Sequence, residues 1–228
     1  VIAMGEDPAR VWCTGAPGLD ALSRLTLPDR AGLAAELGLD PAVPWLTVTY
    51  HPLNADDHGA DALAEALADR PEQVVLTGVN ADPGRDRVAR TLHGLAQRAP
   101  ERVRLAGSLG QRRYFGLLRE AAAVVGNSSS GVIEAPALGV PTVNMGSRQD
   151  GRLRAGGVID CPAEGWAVAQ ALDIATSPGF RDSAARSEPP CGRGDGTASR
   201  RIAEALMTAP PHLLGPKRFF EAGQTKGR

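Results

Sequence analysis

Short apolar runs alternate along this chain with stretches whose apolar positions recur at helical spacing. "RVWCT" (10–14) reads as a strand, followed by "GAPGLDALSRL", a glycine turn running into a helix. Asp29 is placed to cap "RAGLAAELG". "PWLTVTY" (44–50) is dense in β-branched and aromatic residues and predicts a strong strand. "ADALAEALADR" (60–70) has the apolar spacing of a helix. The unit then repeats: strands at 73–79, 102–107, 124–126, 141–145 and 157–160, and helices at 84–98, 111–122, from about Ser130, 166–177 and 197–208. The segment 178–196 reads as a loop, and the tail 223–228 as frayed.

This alternation predicts an α/β fold, a doubly wound parallel sheet of Rossmann-like type with helices on both faces. The strands are apolar runs rather than alternating ones, as expected where both faces are covered. In such sheets ligands bind beyond the carboxyl ends of the strands. The turns that follow the strands are therefore the places to look for chemistry.

After the strand ending at Tyr50 comes "HPLN", which puts His51 at a carboxyl end beside Pro52. His58, His93 and His212 fall on helix surfaces or near the carboxyl terminus and read as structural. "NADPGR" follows the next strand. Asp82 there reads as a turn former and helix cap, and Asn80 matters only if it points into the same cleft. After "VVG" stand Ser128, Ser129 and Ser130, where a helix is expected to begin. Free N–H groups, hydroxyls and a helix dipole would converge there on a phosphate. One serine would satisfy an ordinary N-cap, and three exceed it. Glu134 lies about a turn further on, where a carboxylate can take a ribose diol. Pro136 predicts that this helix is short or kinked. In "GSRQDGR", Gly146 frees the backbone, and Arg148 or Arg152 could clamp a diphosphate. No Walker A run and no G-x-G-x-x-G after the first strand is present, which argues against P-loop and dinucleotide sites.

Composition narrows the class. With 228 residues, 43% hydrophobic and 22% charged, the chain can bury a sizeable core. A net charge of −1 gives no field to recruit nucleic acid or an anionic membrane, so neither is an expected partner. Cys13, Cys161 and Cys191 are odd in number and in no metal spacing, so neither a disulfide framework nor a metal site is expected, and no cofactor is implied. No transmembrane run or signal peptide is evident, and the expected location is cytoplasmic.

The run "GNSSSGVIEAPALGVPTVNMGSRQDGR" (126–152) closely resembles the carboxyl-terminal domain signature of the hydrolysing UDP-N-acetylglucosamine 2-epimerases of sialic-acid biosynthesis. "GEDPARVWCTGAPGLDAL", "VTYHPLN", "NADPGR", "SLGQRRYFGLL" and "GDGTASRRIAEAL" support the match over 1–208. Non-hydrolysing epimerases carry a His-Arg pair, an Asp-Ser-Gly-Gly turn and a Thr-Glu-Arg-Pro run, where this chain has "HPLN", "NSSSG" and "SRQDGR".

The resemblance implies the carboxyl-terminal half of a GT-B fold. Residues 1–208 would form a UDP-binding Rossmann-like domain and 209–228 a tail, with the amino-terminal catalytic domain outside this chain. It implies UDP-binding roles for His51, Asn80, Ser128, Ser129, Ser130, Glu134 and Arg148, with His51 near the reacting sugar as the catalytic candidate. The implied reaction eliminates UDP from UDP-N-acetylglucosamine to a glycal and adds water with inversion at C2, giving N-acetylmannosamine. The family's acid/base carboxylates lie in the other domain, so this chain alone is expected to bind UDP weakly and not to turn over. The implied partners are a UDP-sugar, UDP, that amino-terminal domain and, from family habit, a second copy in a homodimer. Three other readings remain open. One is a GT-B glycosyltransferase domain, another a non-catalytic UDP-binding module, and the third a sibling epimerase acting on a UDP-2,4-diacetamido-trideoxyhexose. A dehydrogenase-type domain ranks low because its glycine fingerprint is missing.

Overall fold

A computed structural model describes residues 1–221, and the tail at 223–228 lies outside them. The chain divides into two compact units, one Leu25–Arg193 and the other Val1–Arg24 with the segment from Gly194.

The larger unit is a six-stranded sheet, every adjacent pair parallel. Its strands are β1 (Trp45–Thr49), β2 (Gln73–Thr77), β3 (Val103–Gly107), β4 (Ala123–Gly126), β5 (Thr142–Met145) and β6 (Val158–Cys161). They run in the order β3-β2-β1-β4-β5-β6. The order reverses between β1 and β4, which marks the topological switch point where doubly wound sheets bind ligands. α1 (Arg30–Leu37) leads into the first strand, α2 (Gly59–Leu67), α3 (Arg85–Arg98), α4 (Gly110–Glu120) and α5 (Glu134–Ala137) connect successive strands up to β5, and α6 (Gly165–Thr176) and α7 (Pro178–Arg186) follow the last.

Both faces of the sheet are covered, as the continuous apolar strands require. On one face Leu63, Leu67, Val88, Leu92, Leu95, Val168 and Leu172 of α2, α3 and α6 pack on Leu46, Val48, Val74, Leu76, Val125 and Val143. On the other, Leu33 of α1 and Leu117 of α4 enclose Trp45 and Val75. Trp45 is fully buried, its indole N–H donates to the Asp40 carbonyl at 3.0 Å, and Arg30 stacks 3.9 Å from its ring centroid. Asp29 caps α1 by accepting the Gly32 N–H at 2.8 Å, as its position predicts.

The smaller unit holds 3₁₀ turns at Ile2–Met4, Pro8–Arg10 and Pro17–Ser23 and the helices α8 (Ala198–Thr208) and α9 (Pro211–Leu214). The buried Asp20 carboxylate accepts the N–H groups of Ala198 at 3.1 Å and Ser199 at 2.8 Å, taking up free donors at the start of α8. Hydrogen bonds from Ser199 hold that carboxyl below its usual range.

Three sequence expectations need correction. "RVWCT" is not a strand: a 3₁₀ turn ends at Arg10, and Trp12 and Cys13 are exposed, with no neighbouring strand among the described residues to complete a ladder. Residues 178–196 are not all loop, because Pro178–Arg186 is helical. Pro178 occupies its first turn, where a missing N–H costs nothing, so the Pro-Gly pair reads as a breaker although it begins a helix. Asp82 does not cap α3 with its side chain; Gly84 at φ 91° is the N-cap, and only the Asp82 carbonyl takes part, accepting from the Arg85 N–H at 3.1 Å.

Candidate functional site

Four turns leave the carboxyl ends of β1, β2, β4 and β5, and one buried residue ties three of them together. Asn127 directly follows β4 and is 1% exposed. Its Oδ1 accepts the His51 N–H at 2.8 Å, and its Nδ2 donates to the His51 carbonyl at 2.7 Å. The Asn127 carbonyl accepts from Gln149 Nε2 at 2.7 Å and Arg148 Nη1 at 3.4 Å. The amide therefore fixes the main chain after β1, and the carbonyl gathers the loop after β5. Gly126 makes this possible. It sits at φ 137°, and a Cβ there would fall 2.1 Å from the Thr49 carbonyl oxygen. Only glycine lets β4 turn so close to the end of β1.

His51 is buried. Its Nδ1 accepts the Asn80 N–H at 3.2 Å, which leaves the neutral ring protonated on Nε2. Burial and the nearby Arg148 cation push its pKa down, against a smaller opposing pull from Asp82. The imidazole is thus held neutral, as a donor through Nε2 rather than a base. Asn80 contributes here through its main chain, and the residue itself is exposed.

The helix behind the serines is short, as Pro136 predicts, and a separate 3₁₀ turn precedes it. Ser129–Gly131 is a single 3₁₀ turn, and α5 behind it has four residues, with Pro136 inside it. A macrodipole summed over a long helix is therefore missing, and the turn offers local donors instead. Among the described residues, the N–H groups of Ser128 and Ser129 have no hydrogen-bond partner. Ser130 is buried, and its hydroxyl lies 2.6 Å from the Tyr114 hydroxyl and 3.2 Å from that of Ser128.

Glu134, on the first turn of α5, is half-buried, and its Oε2 is enclosed without a partner. Burial raises its pKa, with Arg152 pulling the other way. An enclosed, unpartnered carboxylate oxygen is a vacant acceptor for a hydroxyl.

His51, Asn80 and Arg148 thus gather around Asn127, and Ser128, Ser130 and Glu134 around the neighbouring turn. Ser129 presents a half-exposed hydroxyl with no partner among the described residues. The sequence reading missed Asn127, Gln149 and Tyr114. A polar residue wedged between an apolar strand and three serines was a usable signal for Asn127. Tyr114 had none, since it reads as one apolar-face position of α4.

A constellation of anion donors, a neutral histidine and a vacant carboxylate at a switch point suits a nucleoside diphosphate. Comparison with known proteins identifies the family. The family model for UDP-N-acetylglucosamine 2-epimerase matches residues 1–207. The polysialic acid biosynthesis protein P7 of Escherichia coli is 30% identical over 186 residues, 79% of this chain and 47% of that protein. The GDP/UDP-N,N'-diacetylbacillosamine 2-epimerase (hydrolyzing) of Campylobacter jejuni is 29% identical over 167 residues, 70% of this chain and 43% of its own. The chain thus spans about half the length of the curated relatives it matches. Among solved structures, the S. aureus MnaA–UDP complex superposes with a TM-score of 0.74 at 18% identity, covering 96% of this chain and 58% of that one, a likeness of fold. Because the family model spans nearly the whole chain, the chain belongs to the UDP-N-acetylglucosamine 2-epimerase family.

Proposed function

We propose that this chain is the UDP-binding, carboxyl-terminal half of a hydrolysing UDP-N-acetylglucosamine 2-epimerase. The observation that carries the reading is the neutral His51, whose Nδ1 is occupied by the Asn80 N–H and whose Nε2–H is left to donate, beside Arg148 and the serine turn. In this reading the Ser128 and Ser129 donors and Arg148 bind the diphosphate, and Glu134 accepts from the ribose hydroxyls. His51 donates to the diphosphate oxygen nearest the sugar.

The reaction begins with loss of the C2 proton. UDP departs from C1 with the bonding electron pair, and a C1–C2 double bond forms. Water then adds across that bond: its hydroxyl goes to C1, and a proton reaches C2 from the opposite face. N-acetylmannosamine and UDP result. His51, Arg148 and the serine turn serve the departing diphosphate, whose charge grows as the C1–O bond breaks. The residues that move the C2 proton belong, in this reading, to an amino-terminal domain outside residues 1–228, so the chain alone binds UDP without turnover. Because a relative carries the diacetylbacillosamine description, a 2,4-diacetamido sugar is the second candidate substrate.

The test titrates UDP into the purified chain and into Arg148→Ala and Glu134→Gln. UDP should bind the parent, Arg148→Ala should weaken it about tenfold or more, and Glu134→Gln should erase the preference for UDP over its 2',3'-dideoxy analogue. Failure of the parent to bind UDP would refute the reading. Release of N-acetylmannosamine from UDP-N-acetylglucosamine by the chain alone would refute its division of labour.

A further inference from the structure

A row of part-buried hydroxyls lies beneath the serine turn, and the direction of its hydrogen bonds can be worked out. Thr77 Oγ1 donates to the Val48 carbonyl at 3.1 Å, which uses its only hydrogen. The 2.8 Å contact between Thr77 and Thr49 must then be a donation from Thr49. On the other side, Ser130 Oγ donates to Ser128 Oγ at 3.2 Å, so its 2.6 Å contact with Tyr114 must be a donation from the phenol. The remaining contact, Thr49 to Tyr114, has no hydrogen left to fill it, and it is the longest of the row at 3.3 Å. The distances agree with the count of protons.

The same count fixes Ser128. Its oxygen accepts from the Ser130 hydroxyl and, at 3.4 Å, from the Ser130 N–H, so both lone pairs are engaged. Its own O–H finds no acceptor among the described residues, and the residue is only half-buried. A hydroxyl in that state can donate and cannot accept. Burial pushes the Tyr114 phenol above its ordinary range, so the head of the row keeps its proton.

We propose that Tyr114 is a positioning residue that, acting through Ser130, holds Ser128 as an obligate hydrogen-bond donor to the diphosphate. This rests on the UDP-binding role given to the serine turn. It adds a residue on α4 that touches no ligand, and it makes the turn select ionised phosphate oxygens over groups that must donate.

The test is a double-mutant cycle by calorimetry on the 228-residue chain, with UDP and with uridine, the latter also followed by NMR shifts that read millimolar binding. Ser128→Ala should weaken UDP about tenfold, the effect of one charge-assisted hydrogen bond, and leave uridine unchanged. Tyr114→Phe should weaken UDP about threefold to fivefold, the share of one neutral hydrogen bond, again sparing uridine. In the Ser128→Ala background Tyr114→Phe should have no further effect. Ser130→Ala breaks the row at its middle and should behave as Tyr114→Phe does, which keeps the test decisive if the phenylalanine variant folds poorly. Full additivity with Ser128→Ala, or an equal loss for uridine, overturns the proposal. A parent chain that fails to bind UDP removes the reading on which it rests, and that failure is seen before any substitution is made.

Discussion

Replacing Asn127 with alanine should destabilise the larger unit without touching its apolar core. The side chain gives the His51 N–H its acceptor at 2.8 Å and the His51 carbonyl its donor at 2.7 Å. Both groups belong to a buried residue, so no solvent replaces the lost amide. Leaving a buried donor or acceptor unsatisfied costs about 1–3 kcal/mol. Two such groups therefore predict a loss on the order of 3 kcal/mol after some relaxation. The main-chain bonds of Asn127 to Thr49 and Gln149 survive the substitution and cap the damage. For a chain of this size that loss lowers Tm by roughly 6–12 °C. Circular dichroism melts and urea titrations measure it. Asn127→Asp separates the two bonds, since a carboxylate still accepts from the His51 N–H but opposes the His51 carbonyl. It also sets a negative charge beside the imidazole and should raise its pKa, readable from the ring proton shifts. An Asn127→Ala melt within about 2 °C of the parent would show that the amide is not the tie between these turns.

Two further outcomes follow. His51 should titrate below the ordinary histidine value, and Arg148→Gln should bring it back up, since the Arg148 cation is one cause of the depression. Because the folded pKa is the lower one, the unfolded chain binds the proton first. This contribution to stability is complete above the ordinary histidine pKa and is lost as pH falls through the folded value; a flat stability profile across that window would contradict it. Gly126→Ala forces a Cβ to 2.1 Å from the Thr49 oxygen at φ 137°, so the β1–β4 pair must shift or open. A loss of about 3 kcal/mol or more in urea unfolding is expected, and a variant as stable as the parent would contradict the geometry.

The doubly wound sheet was legible in the sequence because β1, β2, β4 and β5 are covered on both faces and so read as unbroken apolar runs. The turns after them were legible for the same reason, since a strand's end fixes where its loop begins. The place of the Ser128–Ser130 turn and the shortness of the helix behind it were legible too, the latter from Pro136, but the break into a 3₁₀ turn before α5 was not, because periodicity says little about so short a segment. The direct partners of the site residues were harder to see. Asn127 acts through hydrogen bonds to residues 76 and 22 positions away, and no local pattern encodes such a pairing. Tyr114 reaches Ser130 only because α4 packs beside the turn. "RVWCT" shows the reverse failure, strand-like residues with no neighbouring strand among the described residues to receive them.

His51 and Arg148 stand 97 positions apart, and among the described residues they are joined through the carbonyl of Asn127 and the amide beneath it. A ligand that engages both would act as a removable staple across the switch point. Its free energy of binding would appear as resistance to unfolding, about 2.7 kcal/mol at a hundred times its Kd. Occupancy of the cleft and persistence of the fold would then be two readings of one equilibrium.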